Sequence, residues 1–139
     1  MKRELFPAYT PSRSRLVCID SDGCAFDTME IKHKECFCPA TILVWGLQPI
    51  SKYARQAWEY ANLYSKDRGR SRFHEILLVF DLLEAREEVR AYGFTLPDIA
   101  PLRRWVETSP VLNNEDLAKH AANNPVLRRA LDWSLEMNR

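Results

Sequence analysis

Apolar residues recur at helical spacing through most of the chain after residue 28. One such face belongs to residues 52–64, where Ser51 is suited to cap the helix N-terminus. The strongest pattern runs from residue 72 to residue 92, and Gly93 is placed to end that helix. The same spacing predicts the remaining helices, over 29–44 with a break near Pro39, 99–107, 115–122 and 125–135. Asn114 is suited to cap the helix over 115–122, and Pro125 is placed in the first turn of the last helix. The chain itself is therefore predicted to be predominantly α-helical.

One segment departs from the helical pattern. Residues 15–20 form a short apolar run that ends in a carboxylate, which is typical of a strand buried in the middle of a sheet. The sequence Ser21-Asp22-Gly23 follows and predicts a turn, and residues 24–28 suffice only for a small flap-like hairpin. A single buried strand leaves its backbone donors and acceptors unpaired. We therefore expect further strands to pair with it. They would come from an additional length of chain, from a partner chain, or from segments of this chain whose residue pattern does not reveal a strand.

Size and charge restrict the classes of function. The chain has 139 residues, of which 46% are hydrophobic, and this suffices for one packed domain. Its 20 basic and 19 acidic residues give a net charge of +1, which does not indicate a nucleic-acid or acidic-membrane partner. Residues 1–14 are basic and contain proline but no apolar core, so we interpret them as an irregular leader and not as a signal peptide. No apolar run approaches the ~20 residues of a membrane helix, and a cytoplasmic protein is expected.

The four cysteines indicate neither a disulfide framework nor a zinc site. All of them lie in the first third of the chain, and without a secretory signal they are expected to be free thiols. Cys36 and Cys38 lie near His33, but the spacing of these residues matches no familiar zinc-binding pattern.

Candidate chemistry lies at the end of the predicted strand. Asp20 stands at the carboxyl end of that strand, where open α/β sheets place their ligands. Asp22 follows two residues later, and two carboxylates this close are unfavourable unless a cation or a shared proton relieves them. Mg²⁺ prefers oxygen ligands and is the cation expected here, with Asp20 and Asp22 as its ligands. A calcium-binding EF-hand loop is excluded, because its twelfth position counted from Asp20 is Ile31 instead of glutamate.

The Asp-x-Asp-Gly motif after an apolar run, followed by Asp27-Thr28, resembles the first motif of the haloacid dehalogenase superfamily, most closely its phosphatase-like members. The resemblance implies an α/β, Rossmannoid parent fold in which Asp20 is the nucleophile that takes the phosphoryl group of a small phosphorylated substrate. It also implies that Asp22 is the general acid/base and that its backbone carbonyl helps to bind the Mg²⁺ cofactor. The neighbouring carboxylate is expected to raise the pKa of Asp22. Dehalogenating members usually lack the second aspartate, so Asp22 argues against a dehalogenase.

The resemblance also implies a division of the chain. Residues 15–28 correspond to the first core strand and nucleophile loop, and residues 29–139 correspond to a helical cap-like domain of the C1 type. The later motifs of the family are missing, namely a Ser or Thr after a second strand, a Lys or Arg at a helix start, and an acidic pair. We therefore expect the isolated chain to be inactive, and we expect the remainder of the core domain or another chain to complete the sheet.

Three residues are candidates for substrate binding. Gly23 lets the backbone turn and expose its amides, and Arg68 and Arg72 belong to a basic loop suited to phosphate. For the two arginines, a solvated loop without a ligand is the alternative. His33 and Lys34 are expected at the surface.

A second class of function stays open. The chain can also be a non-catalytic helical module that binds a protein partner, with Asp20 and Asp22 retained only as vestiges. The four tryptophans do not favour a ligand platform, because large aromatic side chains at helical spacing are predicted to pack in the core.

Overall fold

Helices build the described part of the chain, which comprises residues 14, 15 and 17–138 of this computed structural model. In chain order they are α1 (Met29–Ile31), α2 (Cys38–Trp45), α3 (Ser51–Glu59), α4 (Arg72–Ala85), α5 (Glu87–Ala91), α6 (Ala100–Thr108), α7 (Asn114–Ala121) and α8 (Pro125–Glu136). Two π-helical segments, Lys32–Phe37 and Tyr60–Tyr64, continue α1 and α3, and a 3₁₀ turn, Gln48–Ile50, precedes α3. None of the described helices has the length and apolarity needed to cross a membrane. The prediction of a predominantly α-helical chain is confirmed.

Polar side chains fix several helix starts. Asn124 accepts hydrogen bonds from two backbone N–H groups in the first turn of α8, and Pro125 lies in that turn as the sequence predicted. At α7 the cap is Asn113, one residue before the predicted Asn114. The prediction for Ser51 is wrong, because the 3₁₀ turn leads directly into α3 and Ser51 is already its first helical residue.

The helix predicted over 72–92 is divided into two helices. Arg86 adopts an extended backbone, with φ −81° and ψ 121°, between α4 and α5. Its guanidinium donates a hydrogen bond to Gln56 at 2.5 Å and lies 5.1 Å from the ring centroid of Tyr53. Both partners belong to α3, so a tertiary contact accompanies the break. The apolar periodicity along α4 and α5 contains no sign of that contact.

The centre of the core is the last described helix, α8. Trp133 is fully buried, and its ring centroid lies 6.5 Å from Trp45, 6.4 Å from Trp58 and 6.1 Å from Phe73. These contacts join α8 to α2, α3 and α4. The indole N–H of Trp133 donates to Thr41 Oγ1 at 2.8 Å inside the bundle. The prediction that the tryptophans pack in the core is confirmed.

The strand expected over 15–20 is not formed in the described part of the chain. Residues 17–20 belong to no helix or strand, and the side chains of Val17 and Ile19 are 82% and 74% exposed. Within the described residues no other strand is present to pair with this segment, and a strand without a partner gains no ladder hydrogen bonds. The α/β parent fold and the cap-like domain 29–139 therefore stay predictions. Residues 1–13 of the predicted leader, and residue 16, lie outside the described part.

The cysteines carry free thiols, as the sequence predicted. Cys18, Cys24 and Cys36 are exposed, whereas Cys38 is buried at the start of α2. Burial disfavours a thiolate and raises the pKa of Cys38 to about 11. Cys38 is therefore a packing residue and not a nucleophile at neutral pH.

Candidate functional site

Residues 20–28, here called the motif loop, form a closed turn ahead of α1. Backbone hydrogen bonds run from Gly23 N to Phe26 O at 2.8 Å, from Phe26 N to Ser21 O at 2.9 Å, and from Ala25 N to Asp20 O at 3.2 Å. The first two bonds make the isolated bridge between residues 22 and 26. The predicted turn is therefore present, although it follows no strand.

Glycine is required at the corner of this turn. Gly23 has φ +69°, a left-handed conformation that other residues adopt only at a cost. A Cβ at this position would lie 2.8 Å from Met29 Cγ. The backbone of the motif loop thus passes close to the first residue of α1, and the absence of a side chain allows that approach.

Asp20 presents an exposed carboxylate at the start of the motif loop. Its Oδ1 accepts a hydrogen bond from the backbone N–H of Ser21 at 2.8 Å, which orients the side chain locally. No ion pair to Asp20 occurs among the described residues. The carboxylate is therefore accessible to a reactant or a cation.

Asp22 is held by two donors. Thr28 Oγ1 donates to Asp22 Oδ1 at 3.0 Å, and the ammonium of Lys32 lies 2.5 Å from Asp22 Oδ2. The hydrogen bond from Lys32, followed by that from Thr28, lowers the pKa of Asp22. The expectation that a neighbouring carboxylate raises this pKa is wrong for the described arrangement, because Lys32 is the closer charge. In this arrangement Asp22 is ionised and cannot donate a proton.

Lys32 was not among the residues that the sequence singled out. It begins the π-helical segment Lys32–Phe37, in which residues five apart lie on the same side of the helix. The ring of Phe37 accordingly lies beneath the ammonium, 5.4 Å from ring centroid to Nζ. An apolar pattern of ordinary helical period gives no signal for this register.

The neighbouring residues His33 and Lys34 differ from each other in exposure. His33 is 9% exposed, packs against Phe37 and Trp58, and has a pKa lowered by burial, so its predicted surface position is wrong. Lys34 forms ion pairs with Glu30 at 3.1 Å and with Glu59 at 3.6 Å. Lys34 thus links α1 to α3, and its described ion pairs do not include the motif loop.

The two candidate arginines bond to other parts of the chain. Arg72 is half-buried and donates to Ser134 O at 2.9 Å and to Asn138 Oδ1 at 3.2 Å, so it ties the start of α4 to α8 and the residues just after it. Arg68 donates to Ser65 O at 3.3 Å within its own loop. Neither guanidinium has a described hydrogen bond to the motif loop. Their role in substrate binding stays a prediction, and the contacts of Arg72 indicate a structural role.

A buried carboxyl group lies beside the basic loop that contains Arg68. Glu75 is 6% exposed, and its Oε1 accepts a hydrogen bond from the backbone N–H of Gly69 at 3.2 Å. Burial raises the pKa of Glu75 to about 7, although the Gly69 N–H and the charge of Arg72 act in the opposite direction. Sequence pattern alone does not reveal this buried group, because a glutamate on a helix is usually solvated.

The described residues alone do not fit a complete magnesium site. Among them, no three His, Cys, Asp or Glu side chains lie close enough together to hold a metal ion. Asp20 and Asp22 are two carboxylates of the type that Mg²⁺ prefers, but both oxygens of Asp22 are engaged by Thr28 and Lys32. Any further carboxylate ligand would have to come from outside the described part of the chain.

A groove of about 770 Å³ lies between α4, α5 and α6. Its floor is apolar and includes Phe80, Leu83 and Val89, and its rim carries both acidic and basic residues. No residue of the motif loop lines it. The groove is therefore separate from the candidate chemistry.

Comparison with known proteins does not assign the chain to a family. No protein-family model, curated protein or solved structure matches it.

Proposed function

We propose that this chain carries the nucleophile loop and helical cap of a Mg²⁺-dependent phosphohydrolase of the haloacid dehalogenase type. The observation that supports this best is the motif loop itself. An exposed aspartate at its start is followed by a closed turn, which requires glycine and holds a second aspartate two residues later. This loop leads directly into a helical body, in the order expected of a nucleophile loop and a cap.

The proposed reaction assigns one role to each aspartate. An oxygen of Asp20 attacks the phosphorus of a small phosphate ester, the bond from phosphorus to the ester oxygen breaks, and an aspartyl phosphate forms. Asp22 donates its proton to the departing oxygen. Water then attacks the aspartyl phosphate with Asp22 as the base, which releases inorganic phosphate and restores both side chains. Asp22 has to lose its contact with Lys32 before it can carry that first proton.

Apolar side chains around the motif loop support the view that more structure covers it. Val17 and Ile19 are two residues apart and both exposed, and Phe26 and Ile31 are 64% and 62% exposed. Several exposed large apolar side chains along one segment are typical of a surface that another element buries. We propose that the remainder of a core domain, or another chain, packs here and completes the sheet. The isolated chain is then inactive.

Mg²⁺ belongs to this proposal as the cofactor, which the carboxylate of Asp20 and the backbone carbonyl of Asp22 would hold. When bound, it would screen the charge between the carboxylates and the phosphate. A cytoplasmic location and a small phosphorylated substrate, with no nucleic-acid or membrane partner, are part of the same proposal.

The test is an assay of the native protein that contains this sequence, with an aryl phosphate as substrate. We expect turnover that EDTA abolishes and added Mg²⁺ restores. Asp20→Asn should remove the activity, whereas Asp132→Asn, on the exposed side of α8, should not. Unchanged turnover in Asp20→Asn would eliminate the nucleophile assignment.

The exposed apolar side chains also favour a second candidate, a protein-binding module without catalysis. In that case the chain purifies in a stable complex with another protein, and the complex has no phosphatase activity. Asp20→Asn and Asp22→Asn would then leave the complex intact. Replacement of Val17 and Ile19 by serine would disrupt it.

A further inference from the structure

The ammonium of Lys32 is the positive charge next to the candidate nucleophile loop. Among the described residues it is the only basic group that forms an ion pair with residues 20–28. Lys34 pairs with Glu30 and Glu59, and Arg72 bonds to α8 and Asn138. The other candidate cations therefore have their partners elsewhere.

The π-helical segment places an aromatic ring under the ammonium of Lys32. Phe37, five residues later, lies under the ammonium, and the carboxylate of Asp22 lies in front of it. In an α-helix the residue stacked one turn after Lys32 would be Cys36, which offers no aromatic face. A change of helical register at this point thus gives the lysine a defined position, while 37% of its side chain stays exposed.

We propose that Lys32 is a substrate-binding residue, whose ammonium leaves Asp22 and takes a phosphoryl oxygen of the substrate. This inference rests on the proposed function of the motif loop. A phosphate ester that approaches Asp20 and Asp22 brings further negative charge to two carboxylates, and it needs a nearby cation to bind. The lysine ammonium is a compact charge that binds phosphate, and the side chain that carries it is flexible. A short movement of Nζ therefore suffices to exchange Asp22 for a phosphoryl oxygen.

The first experiment measures anion binding by this chain without reference to catalysis. Inorganic phosphate is added to the chain, and the Cε–Hε signals of the lysines are followed by NMR, with sodium chloride at equal ionic strength as the control. We expect a saturable shift at Lys32 and none at Lys34. A response of Lys32 to phosphate that is no larger than its response to chloride would overturn the proposal.

The second experiment measures turnover of an aryl phosphate by the native protein that contains this sequence. Lys32→Gln should raise KM at least about tenfold, the change expected on losing a hydrogen bond between charged groups. Lys32→Arg should recover part of that loss, and Lys34→Gln should leave KM at the wild-type value. A KM within about twofold of wild type in Lys32→Gln would refute the role in binding.

The two proposals fail in different ways. If Asp20→Asn keeps full turnover while phosphate still shifts Lys32, the nucleophile assignment fails and the anion site stands. If Asp20→Asn is inactive but neither phosphate binding nor KM depends on Lys32, the nucleophile stands and this inference fails.

Discussion

Glu75 places a carboxyl group inside the helical bundle, and its burial makes folding stability depend on pH. The side chain is 6% exposed and accepts one hydrogen bond, from the backbone N–H of Gly69. Burial raises its pKa from 4.5 to about 7. The informative change is Glu75→Gln, which keeps an oxygen that can accept from Gly69 but removes the titration.

The sign follows from the two states of the protein. The folded state holds the Glu75 proton more tightly than the unfolded state, so this stabilising contribution is fully present below about pH 4.5 and is lost as pH rises through about 7. A difference between 4.5 and about 7, at about 1.4 kcal/mol for each pH unit, gives a loss of up to about 3 kcal/mol. This is a large fraction of the stability of a domain of this size.

Urea denaturation between pH 4.5 and pH 8.5 measures the effect. The free energy of unfolding of the wild type should fall with pH more steeply than that of Glu75→Gln, and the two curves should differ in total change by up to about 3 kcal/mol. Glu84→Gln, an exposed change on the same helix, should follow the wild type. Parallel curves for the wild type and Glu75→Gln would show that the carboxyl group is not desolvated as described.

Three further changes test the core and the motif loop. Thr41→Val should cost about 1–3 kcal/mol in urea denaturation, because the buried N–H of Trp133 loses its acceptor. Gly23→Ala should destabilise the turn by about 1–2 kcal/mol through its positive φ, seen as faster amide hydrogen exchange in residues 23–26. Lys32→Gln should raise the pKa of Asp22, measured by carboxyl ¹³C NMR, because the largest cause of its lowered pKa is removed.

Each of these changes has a matched control or a contrary result. Thr108→Val removes an exposed hydroxyl that donates to a backbone carbonyl, and it should lower the free energy of unfolding less than Thr41→Val does. Equal losses of stability in the two variants would contradict the buried hydrogen bond. Unchanged exchange in Gly23→Ala would show that the turn does not require glycine. For the pKa of Asp22, the control is Lys34→Gln, because Lys34 pairs with Glu30 instead of Asp22. If Lys34→Gln raised the pKa of Asp22 as much as Lys32→Gln does, a specific ion pair between Lys32 and Asp22 would be contradicted.

Local sequence signals predicted most of the helical architecture. Pro125 in the first turn of α8 and the burial of the tryptophans follow from residue type and spacing, and both are present. The break at Arg86 was missed because its partners, Gln56 and Tyr53, are about thirty residues distant in sequence. A periodic pattern along one helix contains no information about such contacts.

The motif loop was predicted in part. The pattern of Asp20, Asp22 and Gly23 indicated a turn with two carboxylates, and the turn is present. The sign of the pKa change at Asp22 was wrong, because the group that sets it is Lys32, ten residues later in the chain. An ion pair between a loop and the helical segment that follows it leaves no mark on an apolar pattern, so Lys32 could not have been identified by spacing. The apolar run of residues 15–20 indicated burial, but burial also requires a partner surface.

The position of Trp133 has a consequence for synthesis of the protein. The hydrogen bond between Thr41 and Trp133 joins residues 92 positions apart, and the same indole contacts two other helices. During translation, the earlier helices emerge from the ribosome before the residue that fills the space between them. Until then, a nascent chain exposes an apolar cleft that chaperones can bind, and a stop codon before position 133 would leave that cleft open permanently.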